Sequence, residues 1–161
     1  MPNWLFHEYP NMPTIFTTCF YPRTFGGDGI MTLRQNFSGG GKYEKIVGYS
    51  RAVRAGDLIF ISGTTGFLEG GGLISDTDSY AQAKKAIENI DAILKTMGCS
   101  IMDVVRTRVF VSRSAQWQMI AKAHSEAFGS VMPASSMIVC DFLDPKIQVE
   151  IEADAVSGFS K

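Results

Sequence analysis

An excess of charge of either sign, long apolar runs and paired metal ligands are all missing from this sequence of 161 residues. A net charge of −1 provides no long-range attraction for nucleic-acid phosphates or anionic membranes. No apolar stretch reaches the roughly 20 residues that cross a bilayer. No basic segment followed by an apolar run opens the chain, so a secretory signal is not expected. We therefore expect a cytoplasmic protein with neither a membrane nor a nucleic-acid partner.

Cysteine and histidine are too few and too scattered to build a covalent or metal framework. Three cysteines, Cys19, Cys99 and Cys140, are an odd number at wide spacing, which is typical of reduced thiols. The two histidines are His7 and His124, far apart in the sequence. The sequence therefore predicts no disulfide, no metal and no cofactor.

What is present is an ordinary globular composition, with 45% apolar and 19% charged residues. The length fits one domain with a core. The first thirty residues hold four prolines and several aromatics without a clear period, and a new stretch begins at Met31. We predict an N-terminal extension over 1–30 and one domain over 31–161.

Hydrophobic periodicity after Gly48 predicts a mixed α+β domain. Arg54–Asp57 is a tight turn between two extended runs, and the second run is apolar on both faces, which predicts a central strand. Asp76 or Thr77 is a plausible N-cap for the first helix, and Gly98 suits the left-handed position after its end. The pattern leaves room for one more short strand before Tyr49. The predicted strands are 49–55, 58–62, 104–112, 136–142 and 147–156, and the predicted helices are 77–97 and 115–128.

Each helix carries a single apolar stripe, so both helices should cover one face of one sheet. The first stripe runs from Tyr80 to Met97, and the second includes Trp117, Ala121 and Phe128 with His124 among them. In the strand over 104–112 the alternation predicts Val105, Thr107, Val109 and Val111 on the helix-covered face.

The other face of the sheet is predicted to carry charge. Strand alternation puts Glu150, Glu152 and Asp154 there, opposite Val149 and Ile151, and Arg106 and Arg108 join them from the neighbouring run. Such a face suits a subunit interface in which sheets face inward, although a solvent-exposed face is the alternative. Glu150 could serve in acid–base chemistry or pair with Arg106 or Arg108 in a salt bridge at the subunit interface.

Three further features have ordinary interpretations beside chemical ones. Ser38–Lys42 superficially suggests a phosphate-binding loop but lacks the required glycine spacing and preceding strand, so a flexible loop is favoured. His124 on an apolar helix face is more often packed and hydrogen-bonded than a ligand contact. Cys140 has no visible activating partner, so core packing is favoured over a nucleophilic role.

Four segments in matching order resemble the Rid family, the YjgF-like reactive-intermediate deaminases also described as L-PSP endoribonucleases. They are Gly48–Gly63, Gly98–Val105, Pro133–Ser136 and Gln148–Val156. The resemblance covers residues 48–156. It implies a chorismate-mutase-like fold, with a single mixed sheet and two helices on one face, assembled as a homotrimer that binds small molecules in clefts between subunits.

The resemblance also assigns residue roles. It implies Glu150 as the catalytic carboxylate that positions or activates water, Tyr49 in the cleft, and Ser62 and Gly63 in the loop over the ligand. Ser135 stands where the family carries the arginine that clamps a substrate carboxylate. Ala121 likewise replaces a cleft asparagine.

The missing arginine makes ordinary 2-imino-acid hydrolysis doubtful, because a hydroxyl cannot replace a bidentate guanidinium contact. Arg51 or Arg108 could supply a relocated anion contact. His124, Ser135 and Met137 are further candidates for the lining of the cleft.

The leading hypothesis is a small-molecule hydrolase of deaminase type acting on an imine, an enamine or a related metabolite. The alternatives are a non-catalytic ligand-binding or regulatory trimer and, with less support because the chain lacks a basic stripe, an endoribonuclease. An arginine within reach of Glu150 would favour the enzyme. Neutralisation of both Arg51 and Arg108 in ion pairs would favour the binding protein.

Overall fold

The computed structural model describes residues 34–158. The extension predicted over 1–30 lies outside the described residues. The strands are β1 (Arg34–Phe37), β2 (Ala52–Ala55), β3 (Leu58–Thr64), β4 (Val104–Ser112), β5 (Ala134–Cys140) and β6 (Val149–Val156). The helices are α1 (Lys42–Val47), α2 (Ser79–Thr96) and α3 (Trp117–Phe128), and a short 3-10 turn, Ile101–Asp103, leads into β4.

All six strands form one sheet in the order β1-β2-β3-β6-β4-β5. The β4–β5 pair is parallel and every other neighbouring pair is antiparallel, so the sheet is mixed. β3 lies inside the sheet, as its apolar run predicts. The last two strands of the sequence are not neighbours, because β6 inserts between β3 and β4. The α+β class with a single mixed sheet is confirmed.

The core lies between one face of this sheet and the helices α2 and α3. Ala83, Ile87, Ile90 and Leu94 of the predicted stripe are buried, and each large aliphatic side chain buried in this way contributes about 1.5–3 kcal/mol. Among the residues that the structure describes, no helix has the length and apolar character needed to cross a membrane.

The ends of α2 follow capping chemistry. Asp78 accepts a hydrogen bond from the backbone N–H of Ala81 at 2.9 Å, so the helix begins just after Asp78 rather than at the predicted caps Asp76 or Thr77. Gly98 adopts φ +72° just beyond the helix, as predicted for the left-handed position.

Two apolar side chains predicted in the core are exposed instead. The register of β4 against β6 shifts between Val104 and Arg106, which turns Val104 inward and leaves Val105 40% exposed. Trp117 is the first residue of α3 and is 54% exposed, while Ile120 and Phe128 in the later turns carry the buried contacts.

A third helix precedes the predicted pair. The further short strand allowed by the sequence is β1, which pairs antiparallel with β2. The glycine-rich stretch after β1, predicted as a flexible loop, leads directly into α1. The prediction of two helices therefore missed one short helix.

The face of the sheet opposite α2 and α3 is called here the open face. Strand alternation and register place on it the side chains of Phe60, Arg106, Arg108, Phe110, Ile138, Glu150, Glu152 and Asp154. β5 forms one edge of the sheet, and Ile138 and Val139 at its centre are 53% and 55% exposed. Cys140 is half-buried at the end of this edge strand rather than in the core.

Candidate functional site

Ion pairs on the open face divide the carboxylates of β6 into two kinds. Arg108 donates to Asp154 at 3.1 Å and to Glu152 at 3.4 Å, and Arg106 Nε lies 3.8 Å from Asp154. Neither arginine of the same chain pairs with Glu150 within residues 34–158, so the interface salt bridge from Arg106 or Arg108 to Glu150 stays a prediction about a second copy. Within one chain the reason is register, since Arg108 lies directly opposite Glu152 while Glu150 lies opposite Phe110.

Glu150 is half-buried and makes no hydrogen bond or ion pair within residues 34–158. Burial raises the pKa of its carboxyl group, the negative charge of Glu152 raises it further, and the positive charge of Arg51 offsets part of the rise. A carboxylate in this state is a stronger base than an exposed one and can take up a proton at a higher pH.

A bulge in β3 forms the surface against which Glu150 lies. The register of β3 against β6 shifts between Ile61 and Thr64, so that Ser62 and Gly63 together lie opposite the single residue Glu152. A Cβ atom on Gly63 would come within 2.5 Å of the Glu150 carboxyl carbon, Cδ. Only glycine therefore lets the carboxyl group lie in this place.

Arg51 links the bulge to Tyr49. Its Nη2 atom donates to the carbonyl oxygen of Gly63 at 2.8 Å, and its guanidinium carbon lies 5.7 Å from the centre of the Tyr49 ring. The Nε atom is buried and has no hydrogen-bond partner within the described part of the chain. No carboxylate of residues 34–158 lies within 4.0 Å of Arg51, and its charge lowers the pKa of both Glu150 and Glu44.

Ser62 donates two hydrogen bonds to the residues just before β2. Its hydroxyl donates to the carbonyl oxygen of Ser50 at 2.7 Å, and its backbone N–H donates to the carbonyl oxygen of Arg51 at 3.1 Å. These bonds hold the bulge against the segment that carries Tyr49. The structure thus brings together Tyr49, Arg51, Ser62, Gly63 and Glu150, a set called here the Glu150 cluster.

Glu44 supports this cluster and was missed in the sequence. Its carboxylate accepts hydrogen bonds from the Ser38 hydroxyl and from the backbone N–H groups of Gly39 and Gly41. Burial raises the pKa of Glu44, but these hydrogen bonds and the charge of Arg51 outweigh it and leave the pKa below its usual value. The signal in the sequence was a glutamate three residues after Gly41, the spacing of a helix capping box.

The same contacts explain why the stretch Ser38–Lys42 is not a phosphate-binding loop. Two of the backbone N–H groups that would hold a phosphate, those of Gly39 and Gly41, already bind the Glu44 carboxylate. Gly39 also packs closely on the aliphatic part of Arg51, at 3.3 Å from a Cβ built there to the Arg51 Cδ atom. The stretch Ser38–Lys42 therefore helps to hold the side chain of Arg51 in place.

A second group of polar side chains lies on the helix-covered face. His124 Nε2 and the Thr107 hydroxyl oxygen are 3.0 Å apart, and the Thr107 hydroxyl donates to the Ser135 hydroxyl at 2.9 Å. Thr107 is fully buried, and the His124 ring packs on Phe128 with a centroid distance of 4.7 Å. Burial lowers the pKa of His124, so the ring is neutral near pH 7. Thr107 is the second residue that sequence reasoning did not select.

The remaining candidates divide between the two faces. Met137 lies two residues beyond Ser135 on the same face of β5 and is 41% exposed. Arg108 lies on the open face, where Asp154 and Glu152 neutralise it. Within one chain, Glu150 and Ser135 point to opposite faces of the sheet, so one ligand cannot contact both.

No group of three or more His, Cys, Asp or Glu side chains in residues 34–158 is arranged to hold a metal ion. A surface depression beside β1 is lined by none of the candidate residues. Its walls are formed by Gln35, Asn36, Phe37, Arg54, Thr96 and Met97.

Comparisons of this chain with known proteins agree on one protein family. Residues 41–157 match the sequence profile of the family described as Endoribonuclease L-PSP. The chain is 35% identical over 120 residues to an uncharacterized protein of Streptomyces coelicolor, covering 74% of this chain and 89% of that protein. It is 32% identical over 110 residues to the 2-iminobutanoate/2-iminopropanoate deaminase of Mus musculus, covering 68% of this chain and 82% of the deaminase.

Solved structures confirm the fold class that the resemblance implies. The crystal structure of Rv2704, a YjgF-family protein of Mycobacterium tuberculosis, superposes with a TM-score of 0.68 at 40% sequence identity. The superposition covers 76% of this chain and 98% of the mycobacterial one. The single mixed sheet described above is therefore the chorismate-mutase-like sheet of these proteins.

Proposed function

Since this chain belongs to the L-PSP endoribonuclease family of YjgF-like (Rid) proteins, we propose that it is a small-molecule hydrolase of deaminase type, with Glu150 as its catalytic carboxylate. The substrate class is an imine, an enamine or a related metabolite. The similarity to a 2-iminobutanoate/2-iminopropanoate deaminase over 82% of that protein's length supports the reaction class.

The environment of Glu150 carries this proposal. Arg106 and Arg108 bind the next two carboxylates of β6, and Glu150 is left half-buried against Gly63 with a raised pKa. A carboxylate that served only to hold the structure together would be expected to have a cation or N–H partner. An unpartnered carboxylate with a raised pKa is instead typical of an acid–base residue.

The proposed reaction adds water across a C=N bond. The Glu150 carboxylate accepts a proton from water as the water oxygen bonds to the carbon of the protonated imine, which gives a neutral carbinolamine. Glu150 then returns this proton to the amine nitrogen. The C–N bond breaks as the C=O bond forms and the hydroxyl proton leaves to solvent, which releases ammonia and leaves a carbonyl group. Water and imine give ketone and ammonia, and Glu150 ends in its starting state.

Arg51 is the arginine that fits this chemistry. Its guanidinium group lies against the bulge that carries Gly63 and has no carboxylate partner within 4.0 Å among residues 34–158. Its charge offsets part of the rise in the pKa of Glu150. Arg108 does not fit the role, because two carboxylates already neutralise it.

The neutralisation of Arg108 also favours, in part, the second candidate, a non-catalytic ligand-binding trimer. One of the two arginines that could replace the missing anion contact is unavailable for a ligand. The position of Arg51 close to Glu150, with no carboxylate within 4.0 Å among residues 34–158, is the observation that makes the enzyme the preferred candidate.

We further propose that the protein is a cytoplasmic homotrimer. Ser135 and Glu150 lie on opposite faces of one chain, so a cleft that contains both needs Ser135 from a second copy. The apolar and charged side chains of the open face support such an interface. The two described cysteines, Cys99 and Cys140, are free thiols, which agrees with a reducing compartment.

The test uses 2-iminopropanoate generated in solution by an amino-acid oxidase, with the surviving imine trapped by semicarbazide. We expect this protein to hydrolyse it slower than the mouse deaminase by a factor of tens to thousands, because loss of a charged partner typically costs about 2–5 kcal/mol. Ser135→Arg should raise the rate. Glu150→Gln should lower it by about 10²–10⁴-fold, in the wild type and in the Ser135→Arg background.

Glu152→Gln is the matched control, since Glu152 occupies the same face of β6 but already binds Arg108. It should retain activity. A Glu150→Gln variant that hydrolyses the imine at the wild-type rate would contradict the proposed role of Glu150.

A further inference from the structure

Three uncharged side chains connect the interior of the protein to an exposed edge strand. His124 on α3 contacts Thr107 at the centre of β4, and Thr107 contacts Ser135 on β5, with separations of 3.0 and 2.9 Å. Thr107 is fully buried and Ser135 is exposed. Ser135 is therefore the exposed end of this chain of hydrogen bonds.

The direction of the Thr107–Ser135 hydrogen bond sets the direction of the bond between Thr107 and His124. The Thr107 hydroxyl has one proton, and it donates that proton to Ser135. The Thr107 oxygen must then accept from His124, so Nε2 of His124 carries a proton. Because burial keeps the ring neutral, Nδ1 carries none. The Ser135 oxygen accepts from Thr107, and its own proton has no acceptor within residues 34–158.

We infer that Ser135 is a directed hydrogen-bond donor for a neutral carbonyl oxygen of the ligand, with Thr107 and His124 as its positioning residues. A hydroxyl that accepts one hydrogen bond is a stronger donor of the next one. The inference rests on the proposed function, because it names the ligand group that binds at the Ser135 end of the cleft.

The surroundings of Ser135 favour a neutral group over a carboxylate. All three members of the hydrogen-bonded chain are uncharged, and the next side chain on the same face of β5 is the apolar Met137. Arg106 and Arg108 extend from the opposite face of β4 and are bound by Glu152 and Asp154. One hydroxyl satisfies one acceptor lone pair, whereas a buried carboxylate requires several charged or N–H donors.

With the Thr107 proton directed to Ser135, His124 does not act as a base through this chain. Each proton in this chain of hydrogen bonds is donated towards Ser135. A proton could therefore pass from Ser135 to His124 only after the imidazole ring had changed tautomer. His124 therefore sets the orientation of a donor, and the acid–base step remains with Glu150.

The first test is the ¹⁵N NMR spectrum of the histidine side chains in the full-length protein. The chain has two histidines, so the spectrum of His7→Gln assigns the signals of His124. We expect the neutral Nε2–H tautomer. Thr107→Val, which keeps the shape but lacks the hydroxyl, should give a mixture of tautomers, and Thr107→Ser should restore the single form. A dominant Nδ1–H tautomer in the wild type would overturn the inference.

The second test compares two probes that differ only at one group, pyruvamide and pyruvate, in equilibrium binding measured by NMR titration. We expect pyruvamide to bind more tightly. Ser135→Ala should weaken pyruvamide binding about two- to tenfold, the range for one neutral hydrogen bond, and should leave pyruvate binding nearly unchanged. Thr107→Val should act in the same direction, and Thr107→Ser should not.

Ser136→Ala is the matched control, because Ser136 is an exposed serine on the opposite face of the same strand. Tighter binding of pyruvate, equal effects of the Ser135 and Ser136 variants, or binding of neither probe would each overturn the inference. Neither test needs turnover, so their failure is distinguishable from a failure of Glu150→Gln to abolish catalysis.

Discussion

Three carboxylates, those of Glu150, Glu152 and Asp154, occupy alternate positions along β6. The residue opposite each one determines whether the carboxylate is ion-paired. Asp154 and Glu152 lie opposite arginines and are ion-paired, whereas Glu150 lies opposite Phe110 and beside the backbone of Gly63. The residues are of one chemical type on one strand. Their environments alone separate the two ion-paired carboxylates from the one proposed for acid–base chemistry.

The raised pKa of Glu150 predicts how stability depends on pH. The folded state binds this proton more tightly than the unfolded chain does. The resulting stabilisation is complete below the ordinary glutamate pKa and is lost as the pH rises through the raised folded value. Glutamine does not titrate. Near pH 7 we therefore expect Glu150→Gln to melt at a higher temperature than the wild type, with the difference shrinking towards pH 4.

Thermal melts of both proteins at a series of pH values test this expectation. Glu152→Gln is the comparison, and it should lose a few tenths of a kcal/mol to about 1 kcal/mol at neutral pH, because it breaks a partly exposed pair with Arg108. A lower melting temperature for Glu150→Gln at pH 7 would mean that a cation holds this carboxylate in the assembled protein.

Which residues belong to the site was only partly predictable from sequence. Strand alternation placed Glu150 correctly on the charged face. It could not tell which carboxylate the arginines bind, because that depends on the β4–β6 register. Thr107 was read as a core residue because its hydroxyl partner, Ser135, comes from a parallel strand 28 residues away. The ligand-binding roles of Tyr49, Ser62 and Met137 stay predictions.

At the scale of elements, the bulge in β3 is what makes room for the Glu150 carboxyl group. Gly63→Ala would place a Cβ atom 2.5 Å from Glu150 Cδ and 3.0 Å from Cγ, so the side chain must move. We expect imine hydrolysis to fall about tenfold or more, while the free energy of unfolding changes by about 1 kcal/mol or less, because only a flexible side chain is displaced.

Gly66→Ala is the informative comparison for this variant. There a Cβ atom would lie 2.8 Å from the backbone Cα of Gln82 on α2, which cannot rotate away. Gly66→Ala should therefore lose clearly more stability than Gly63→Ala, by about 1–3 kcal/mol for overpacking. Activity assays and chemical denaturation of the two variants check both expectations. Equal activity of Gly63→Ala and the wild type would show that the exact place of the carboxylate is unimportant.

Periodicity located most elements because each one buries a single face. The stripe from Ala83 to Leu94 predicted α2 within two residues at each end. Local irregularities were not predictable in the same way. The shift of register between β4 and β6 exchanges the sheet faces on which Val104 and Val105 lie. It depends on the pairing of the two strands and not on the sequence of β4 alone. The helix α1 has too few residues for a period to be recognised, and its cap depends on contacts of Glu44 with the preceding loop.

At the scale of the whole molecule, the open face presents a surface that one chain does not bury with α2 or α3. Phe60 is 44% exposed and Ile138 is 53% exposed there. The Arg108 pairs with Glu152 and Asp154 lie among these apolar side chains. Exposed apolar side chains gathered on one face of a sheet are typical of a surface that another protein molecule covers, which supports the proposed trimer.

The last prediction joins assembly to activity. Light scattering should give three times the monomer mass of 17.6 kDa, and a clean monomer in dilute solution would contradict the proposed trimer. Ile138→Glu should dissociate it, because the new charge would be buried at the interface without a partner. Met102→Glu is the control, since Met102 is equally exposed, at 50%, but lies in the turn before β4 rather than on the open face.

Because Glu150 and Ser135 of one chain point to opposite faces, the monomeric Ile138→Glu variant should also lose imine hydrolysis while keeping its fold by circular dichroism. A monomer that still hydrolyses the imine would show that the Glu150 cluster works without a second copy, and that Ser135 takes no part in the reaction.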